Sequence, residues 1–239
     1  MFERPHHRAI AQVLTALDGP KLRSTACLFA GGTVMALRYG EYRESVDIDF
    51  LVSDIAGYRL LRQWMTSAQG IATLVRADAA PLVQAKEVRA DQYGVRTLLA
   101  LDGQHIKFEI VLEGRIALEA PGPLDEVCGV ATLTPLDMAT SKLLANSDRW
   151  SDDGVFSRDV IDLAMMGPPL PLLRRAVAKA EAAYGQAILA DLGKALHALQ
   201  TRPGRLERCM LAMAMSLPKA LLWQKLRSLA RVLPKQEGN

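Results

Sequence analysis

Acidic residues at strand-like spacing are the clearest chemical signal in this sequence of 239 residues. Asp47 and Asp49 lie in a segment where acidic and apolar residues alternate, and side chains at positions i and i+2 of a strand project from the same face. Two carboxylates held so close repel each other unless a cation lies between them. Apolar neighbours argue against an exposed strand. Because Mg²⁺ and Mn²⁺ prefer oxygen ligands, the pair predicts a metal site.

A third acid occurs in a second alternating segment. Glu109 shares a strand face with Lys107, whereas Ile106 and Phe108 occupy the other face. On a neighbouring strand, Glu109 would complete a two-metal clamp, in which one ion activates a hydroxyl and the other holds nucleotide phosphates. We therefore predict Glu109 as the third metal-binding and catalytic acid. Glu113 is the alternative if the register differs.

A glycine-rich turn precedes the acidic pair. Gly31, Gly32 and Thr33 lie between a short apolar run and a helical segment. Glycines allow a close approach of the backbone to a ligand, and the first N–H groups of a helix attract phosphate. Taken alone, the triplet is more typical of an ordinary strand-to-helix turn. Arg43 and Ser45 are further candidates, either to contact phosphate or to hold the following loop.

Composition indicates a globular protein rather than a disordered one, with 50% hydrophobic and 23% charged residues. The net charge of +3 is compatible with nucleotide or RNA binding without establishing it. Basic residues cluster late in the chain, either as a solvated helical face or as a nucleic-acid surface. The late basic residues are Arg174, Arg175, Lys179, Arg202, Arg205, Arg208, Lys219, Lys225, Arg227, Arg231 and Lys235.

Cysteine usage and hydropathy predict a cytoplasmic protein. Cys27, Cys128 and Cys209 lie far apart, which favours reduced thiols over a zinc site or a disulfide framework. The first residues lack the apolar run of a signal peptide. No apolar stretch reaches the roughly 18–20 residues that cross a bilayer, so we expect no membrane partner.

Periodicity predicts an α+β first half followed by helices. Asp102-Gly103 is typical of a hairpin turn. His6 and His7 are expected to lie in a frayed terminus. The domains are predicted as residues 1–122 and 123–239. About five strands are predicted, at 26–30, 46–52, 72–75, 97–101 and 106–112. A short helix is predicted directly after Gly31 and Gly32. The other helices are predicted at 5–17, 57–69, 135–147, 155–166, 170–184, 186–200, 204–215 and 218–232.

Several motifs in the right order carry a resemblance to a known family. Residues 28–33 (LFAGGT) and 43–50 (RESVDIDF) resemble the G-G-T … R-x-S-x-D-I-D-F signature of the AbiEii/AbiGii toxin family. That family belongs to the DNA polymerase beta-type nucleotidyltransferase superfamily. A second block, at 135–142, 148–149 and 158–163, resembles the family's helical lysine, its arginine and its R-D-x-x-D-L helix.

The resemblance implies both a fold and an activity. The fold would be a nucleotidyltransferase-type mixed sheet with flanking helices, followed by an all-helical C-terminal domain. The activity would be metal-dependent transfer of a nucleotide from a nucleoside triphosphate to an acceptor hydroxyl, with tRNA or another RNA as a candidate acceptor. The biological setting would be a type IV-like toxin–antitoxin or phage-defence system, with a cognate antitoxin as partner.

The second block supplies candidate nucleotide-binding residues. Lys142 would offer a mobile charge to the triphosphate, and Arg149 would hold phosphate or base. Both would complete, across a cleft, the site that begins in the first half. Asp137, Asp159 and Asp162 would orient these cations. The alternative is an ion-pair network on a helix surface.

Two other functions remain open. A degenerate member of the superfamily would only bind nucleotide or a partner, although the presence of Asp47, Asp49 and Glu109 argues for catalysis. An antibiotic-modifying nucleotidyltransferase would share the chemistry but act on a small molecule. A basic surface extending from the site would favour RNA, whereas an acidic cavity would favour an aminoglycoside.

Overall fold

The computed structural model describes residues 2–234, so Lys235 of the basic cluster lies outside the described residues. The chain divides into two compact units, Met1–Thr134 and Pro135–Asn239. The first unit extends beyond the predicted boundary at residue 122. The reason is that the segment after residue 122 returns to the first sheet, where Thr132 forms a bridge with Phe29 and Leu133 N–H donates to Phe29 O at 3.2 Å.

The first unit is an α+β structure, as predicted. Its helices are α1 (Pro5–Ala16), α2 (Gly19–Ser24), α3 (Gly31–Arg38) and α4 (Ile55–Met65). Its strands are β1 (Leu28–Ala30), β2 (Ile48–Val52), β3 (Val83–Gln84), β4 (Arg89–Ala90), β5 (Gly94–Leu101), β6 (Gln104–Leu112), β7 (Glu126–Val127) and β8 (Val130–Ala131). Six of these strands form one sheet in the order β1-β2-β6-β5-β3, with β4 also paired to β5.

The sheet is mixed. Strand β2 pairs with β6 in parallel, whereas β1 with β2, β5 with β6, and β3 and β4 with β5 are antiparallel. The predicted hairpin is confirmed: Leu101 pairs with Gln104, and both Asp102 and Gly103 have positive φ. Positive φ at both central residues is the requirement of a type I′ turn, which matches the twist of the flanking strands.

One predicted strand is wrong. The apolar residues at 72–75 lie in and just after a 3₁₀ turn, Gly70–Leu74, in which Ile71 and Leu74 are buried. Residues three apart share a face of a 3₁₀ helix, so burial of this pair suits the turn. Thr73 Oγ1 also donates to Gly70 O at 2.8 Å and supports it. A short apolar run has no periodicity that separates these structures.

A row of aromatic rings forms the core beneath the central strands. The rings of Phe29 and Phe50 are 5.7 Å apart, and those of Phe50 and Phe108 are 5.4 Å apart. All three side chains are fully buried. Because successive side chains alternate across a strand, Asp49 and Glu109 project from the opposite face of β2 and β6.

The second unit is helical, as predicted. Its first helix ends at Arg149, two residues after the predicted end at 147. Its second helix begins at Arg158 rather than at the predicted residue 155, because Phe156 and Ser157 have left-handed φ. The helices are α5 (Pro135–Arg149), α6 (Arg158–Met166), α7 (Leu170–Tyr184), α8 (Ala187–Thr201), α9 (Arg205–Ala212) and α10 (Lys219–Leu229), with 3₁₀ turns at Asp153–Val155 and Ala230–Val232.

Truncation of the central ring should destabilise the first unit. Phe50→Ala removes the contacts to both neighbouring rings, and we expect it to lower the free energy of unfolding by about 3–5 kcal/mol. Phe50→Leu, which keeps most of the apolar volume, should cost clearly less. The measurement is urea unfolding followed by Trp64 fluorescence in a background carrying Trp150→Phe and Trp223→Phe, since Trp64 then reports on the first unit. Equal losses in both variants would contradict the packing role.

Candidate active site

Two of the predicted acids lie side by side on neighbouring strands. Asp49 of β2 is in register with Glu109 of the parallel strand β6. The position predicted for Glu109, next to the acidic strand, is therefore observed. Asp47 lies just before β2, which begins at Ile48 rather than at residue 46. Both aspartates are partly exposed.

Both oxygens of Glu109 are bound by cations. Arg96 Nε lies 2.5 Å from Oε1, and Lys107 Nζ lies 2.5 Å from Oε2. Burial raises the pKa of Glu109, but the hydrogen bonds and charges of Lys107 and Arg96 outweigh it and lower the pKa below its ordinary value. Glu109 is thus ionised and compensated without any bound metal.

The alternative acid, Glu113, is also engaged. It follows the end of β6, and its carboxylate accepts from Arg115 Nε at 2.9 Å and from Arg115 Nη2 at 2.7 Å. Its side chain is buried. Glu113 is therefore an anchor for the segment that leaves the strand, whereas Glu109 is the acid beside Asp49.

The carboxylates do not form a metal site of three acids in this conformation. Among residues 2–234, no group of three or more His, Cys, Asp or Glu residues is placed to hold a metal ion. Asp47 and Asp49 provide the hard oxygen donors that Mg²⁺ or Mn²⁺ prefers. Glu109 would join them through the remaining lone pairs of its two oxygens, or by releasing Lys107 or Arg96.

Gly31 brings the start of α3 against an acid. Its φ is +76°, and a Cβ built on it would lie 2.3 Å from Asp49 Oδ2. A side chain at this position would therefore strain the backbone and collide with the carboxylate. At Gly32, an added Cβ would lie 2.3 Å from Arg43 Nη2. Both glycines thus allow close packing of charged side chains on the beginning of the helix.

Thr33 and Ser45 hold the loop that leads to the acids. Thr33 Oγ1 lies 2.5 Å from the carbonyl oxygen of Asp47 and 2.8 Å from Ser45 Oγ. Thr33 is fully buried, and Arg43, also buried, donates to Glu44 O at 2.8 Å. Of the two roles considered for Arg43 and Ser45, these contacts support positioning of the loop. Their predicted contact with phosphate stays a prediction.

The N-terminal helix fixes the same loop through His7. Glu41 accepts from Glu3 N–H at 2.7 Å and from His7 Nδ1 at 2.7 Å, and His7 Nε2 accepts from Ser45 N–H at 3.2 Å. Because Nε2 is an acceptor, the ring is neutral with its proton on Nδ1. Burial raises the pKa of Glu41, but the hydrogen bonds from Glu3, His7 and Arg4 outweigh it and lower the pKa.

The prediction that His7 lies in a frayed terminus is wrong. The side chain is fully buried, because α1 begins at Pro5 and its first turn packs on the loop around Glu41. Proline at the first helical position was the local signal for an ordered start. The partner of His7 is 34 residues away and gave no local signal.

The second unit contains a buried ionic network. Lys142 Nζ lies 3.2 Å from Asp159 Oδ1 and 2.7 Å from Asp162 Oδ2, and Arg149 Nε lies 2.7 Å from Asp159 Oδ2. Both aspartates are buried, so the alternative of a surface network is wrong. Burial raises the pKa of Asp159, but Lys142 and Arg149 outweigh it and lower the pKa.

The contacts of this network refine the predicted roles. Lys142 is held between Asp159 and Asp162, so it is not the mobile charge that we expected. Asp137 is buried and its carboxylate pairs with Lys179 of α7 rather than with Lys142 or Arg149. Lys179 therefore belongs to the ionic core of the second unit. The nucleotide-binding roles of Lys142 and Arg149 stay predictions.

The family comparison identifies the chain as a nucleotidyltransferase. A model of the family described as nucleotidyl transferase AbiEii toxins of type IV toxin–antitoxin systems matches residues 13–234. The chain belongs to this family, which confirms the resemblance seen in the sequence. No curated protein matches the chain significantly. Among the described residues, no helix has the length and apolar character needed to cross a membrane.

Two solved structures from Helicobacter pylori resemble the chain. The first, a protein proposed to be a nucleotidyltransferase, has 18% identity and a TM-score of 0.48, with 95% of this chain and 91% of that chain covered. The second, JHP933, has 17% identity and a TM-score of 0.46, with 97% of this chain and 96% of that chain covered. At these values, neither structure informs the function of the chain.

Gly31→Ala should abolish nucleotide transfer by displacing the carboxylate of Asp49. The matched control is Gly103→Ala, because Gly103 has the same φ of +76° but no atom within 4 Å of an added Cβ. Both variants should lose about 1–2 kcal/mol of stability from the left-handed backbone, and Gly31→Ala should lose more because its Cβ also collides with Asp49. Only Gly31→Ala should lose activity, measured as incorporation of labelled nucleotide. Equal activity in the two variants would contradict the contact with Asp49.

The network around Asp159 should contribute to acid stability. Its pKa in the folded protein lies below the ordinary value of 3.8, so its contribution is present above that pH and is lost as pH falls through the lowered pKa. We expect Asp159→Asn to be less stable near neutral pH and to show a weaker loss of stability on acidification.

The measurement is the free energy of urea unfolding across this pH range, followed by Trp150 and Trp223 fluorescence with Trp64 replaced by Phe. Glu181→Gln is the control, because the side chain of Glu181 makes no hydrogen bond or ion pair within the described part of the chain. An acid profile for Asp159→Asn that parallels the wild type would exclude this contribution.

Proposed function

We propose that the chain transfers a nucleoside monophosphate from a nucleoside triphosphate to a hydroxyl group of an RNA acceptor, with a divalent metal ion at Asp47 and Asp49. The supporting observation is the position of Asp49, which is in register with Glu109 and packs directly on Gly31 at the start of α3. Carboxylates for a cation and a helix N-terminus for phosphate thus occur together.

The reaction exchanges one phosphorus–oxygen bond at the α-phosphorus for another. The acceptor oxygen forms a bond to the α-phosphorus, the bond from that phosphorus to the β-phosphate oxygen breaks, and pyrophosphate leaves while the hydroxyl proton is released. A bound Mg²⁺ or Mn²⁺ would supply charge neutralisation for the phosphates and activation of the hydroxyl. Asp47 and Asp49 would hold the ion, and Glu109 is the proposed third ligand.

The chain's own residues would bind and orient the nucleotide. The first N–H groups of α3, at Gly31, Gly32 and Thr33, have no partners within the helix and favour phosphate oxygens. The contacts of Thr33 and Ser45 keep Asp47 at the end of its loop. Positioning of this kind is the main contribution of a protein to phosphoryl transfer.

Arg149 is the better of the two predicted cations for contact with a ligand. Its side chain is 34% exposed, whereas that of Lys142 is 7% exposed and lies between two carboxylates. We propose that Arg149 contacts the nucleotide and that Lys142 keeps Asp159 in place to orient Arg149. The planar fork of arginine suits phosphate oxygens.

The family assigns a toxin activity, and a cognate antitoxin is the implied partner. We propose tRNA or another RNA as the acceptor. An antibiotic as acceptor and a purely nucleotide-binding role are the alternatives that an experiment must separate. The experiment incubates the protein with each labelled nucleoside triphosphate, Mg²⁺ and either total RNA or an aminoglycoside. Transfer to RNA predicts labelled RNA, transfer to an antibiotic predicts a labelled aminoglycoside, and a purely nucleotide-binding role predicts no labelled product.

Removal of either aspartate should abolish the transfer. We expect Asp47→Asn and Asp49→Asn to lower incorporation of labelled nucleotide by at least about a hundredfold, because a neutral amide neutralises no metal charge. Chelation of divalent ions by EDTA should have the same effect on the wild type. Asp78→Asn is the control, since the Asp78 side chain is 78% exposed. Wild-type transfer by Asp49→Asn would overturn the metal assignment.

A further inference from the structure

A basic groove opens beside the acidic site of the first unit. It has a volume of about 550 Å³ and is lined by four cations, Lys86, Arg89, Arg96 and Lys107, and by one acid, Glu87. Two of these cations, Arg96 and Lys107, are the partners of Glu109. The groove therefore begins at the third acid and is positively charged.

Strand register connects the groove to the acids. Asp49 pairs with Glu109, Glu109 with Arg96, and Arg96 with Arg89, so these residues form one row across β2, β6, β5 and β4. Residues directly opposite each other on paired strands project from the same face. The row changes from acidic to basic along its length. With neighbouring strands about 4.8 Å apart, Arg89 lies roughly 14 Å from Asp49 along the sheet.

The outer cations are available to a ligand. Lys86 and Arg89 are exposed, and within residues 2–234 neither side chain makes a hydrogen bond or an ion pair. Arg96 and Lys107, by contrast, are held by Glu109, and Arg96 also contacts Asp91 at 3.0 Å. A ligand that enters the groove thus meets two fixed cations near the acids and two unpaired cations further out.

The two sides of Asp49 suit two different phosphate-bearing reactants. On the side of β1, Gly31 brings the N-terminus of α3 against the carboxylate, which is the place proposed for the triphosphate. On the side of β6 and β5, the row of cations continues to Arg89, roughly 14 Å from Asp49 along the sheet. An extended polyanion matches this spacing, whereas a cationic aminoglycoside would be repelled.

We propose that this basic groove binds the phosphodiester backbone of a single-stranded RNA end and presents its terminal hydroxyl to the acids at Asp49 and Glu109. The inference rests on the proposed function and adds the place where the acceptor binds. Lys86 and Arg89 contact backbone phosphates, which gives affinity without base specificity. Arg96 and Lys107 continue the positive surface up to Glu109.

The test is RNA binding by the full chain carrying both Lys86→Ala and Arg89→Ala. The probe is a fluorescein-labelled single-stranded RNA of about 12 nucleotides, and its affinity is measured by anisotropy over a range of salt concentrations without nucleoside triphosphate or metal. Each phosphate contact on a single strand contributes about 0.7 to the slope of log K against log salt. We expect the slope to fall by about 1.4 and the affinity to fall by about 25-fold at ~0.1 M salt.

The matched control carries Arg23→Ala and Arg59→Ala, which removes two exposed cations of the same unit that do not line the groove. Its RNA affinity should stay within about twofold of the wild type. A second arm measures transfer: the groove variant should raise the KM for RNA and leave the KM for the nucleoside triphosphate unchanged. The substitutions in the groove variant and in the control variant are all at exposed positions, and circular dichroism verifies that both variants fold.

The outcomes separate the groove from the chemistry. Unchanged RNA affinity and slope in the groove variant overturn the inference, even where the wild type transfers nucleotide to RNA. A raised KM for the triphosphate with unchanged RNA binding also overturns it and assigns the groove to the nucleotide. RNA binding that is weakened in the groove variant supports the inference. If the groove binds RNA in this way but the wild type transfers no nucleotide to RNA, only the proposed function is refuted.

Discussion

The parallel pairing of β2 with β6 is the constraint on which the acidic site depends. It places Asp49 beside Glu109, although the two residues are 60 positions apart in the sequence. Buried Phe50 and Phe108 on the opposite face hold this register. A slip by one residue would turn Glu109 into the aromatic core, where an ionised carboxylate without partners costs several kcal/mol. Aromatic packing on one face therefore sets the geometry of the acids on the other.

A second set of contacts determines where the polypeptide enters β2. The first turn of α1 binds Glu41, His7 connects Glu41 to the backbone of Ser45, and Thr33 binds the carbonyl of Asp47. These groups are mostly buried, which strengthens their hydrogen bonds and makes alternatives costly. The loop before the acids is thus positioned by a network, and a loop positioned by a rigid scaffold is typical of functional sites.

Charge compensation is the common principle of both units. In the first unit, Lys107 and Arg96 neutralise Glu109, and in the second unit Lys142 and Arg149 neutralise Asp159. Each carboxylate has a lowered pKa because its cations outweigh the effect of burial. The difference lies in accessibility: Lys107 is 47% exposed, whereas Lys142 is 7% exposed. Partners at the surface can exchange with ligands, whereas a buried pair is costly to break and serves mainly to hold its neighbours.

Local pattern determined much of this protein, and tertiary structure decided the rest. Alternation predicted the strands around Asp49 and Glu109, and Asp102-Gly103 predicted the hairpin between β5 and β6, because strand periodicity and turn chemistry are properties of neighbouring residues. The order of motifs also identified the family. The parallel register, the pairing of Glu109 with Arg96 and the burial of His7 were decided only by the fold. These contacts join residues distant in the chain, and local periodicity contains no information about which distant side chains will meet.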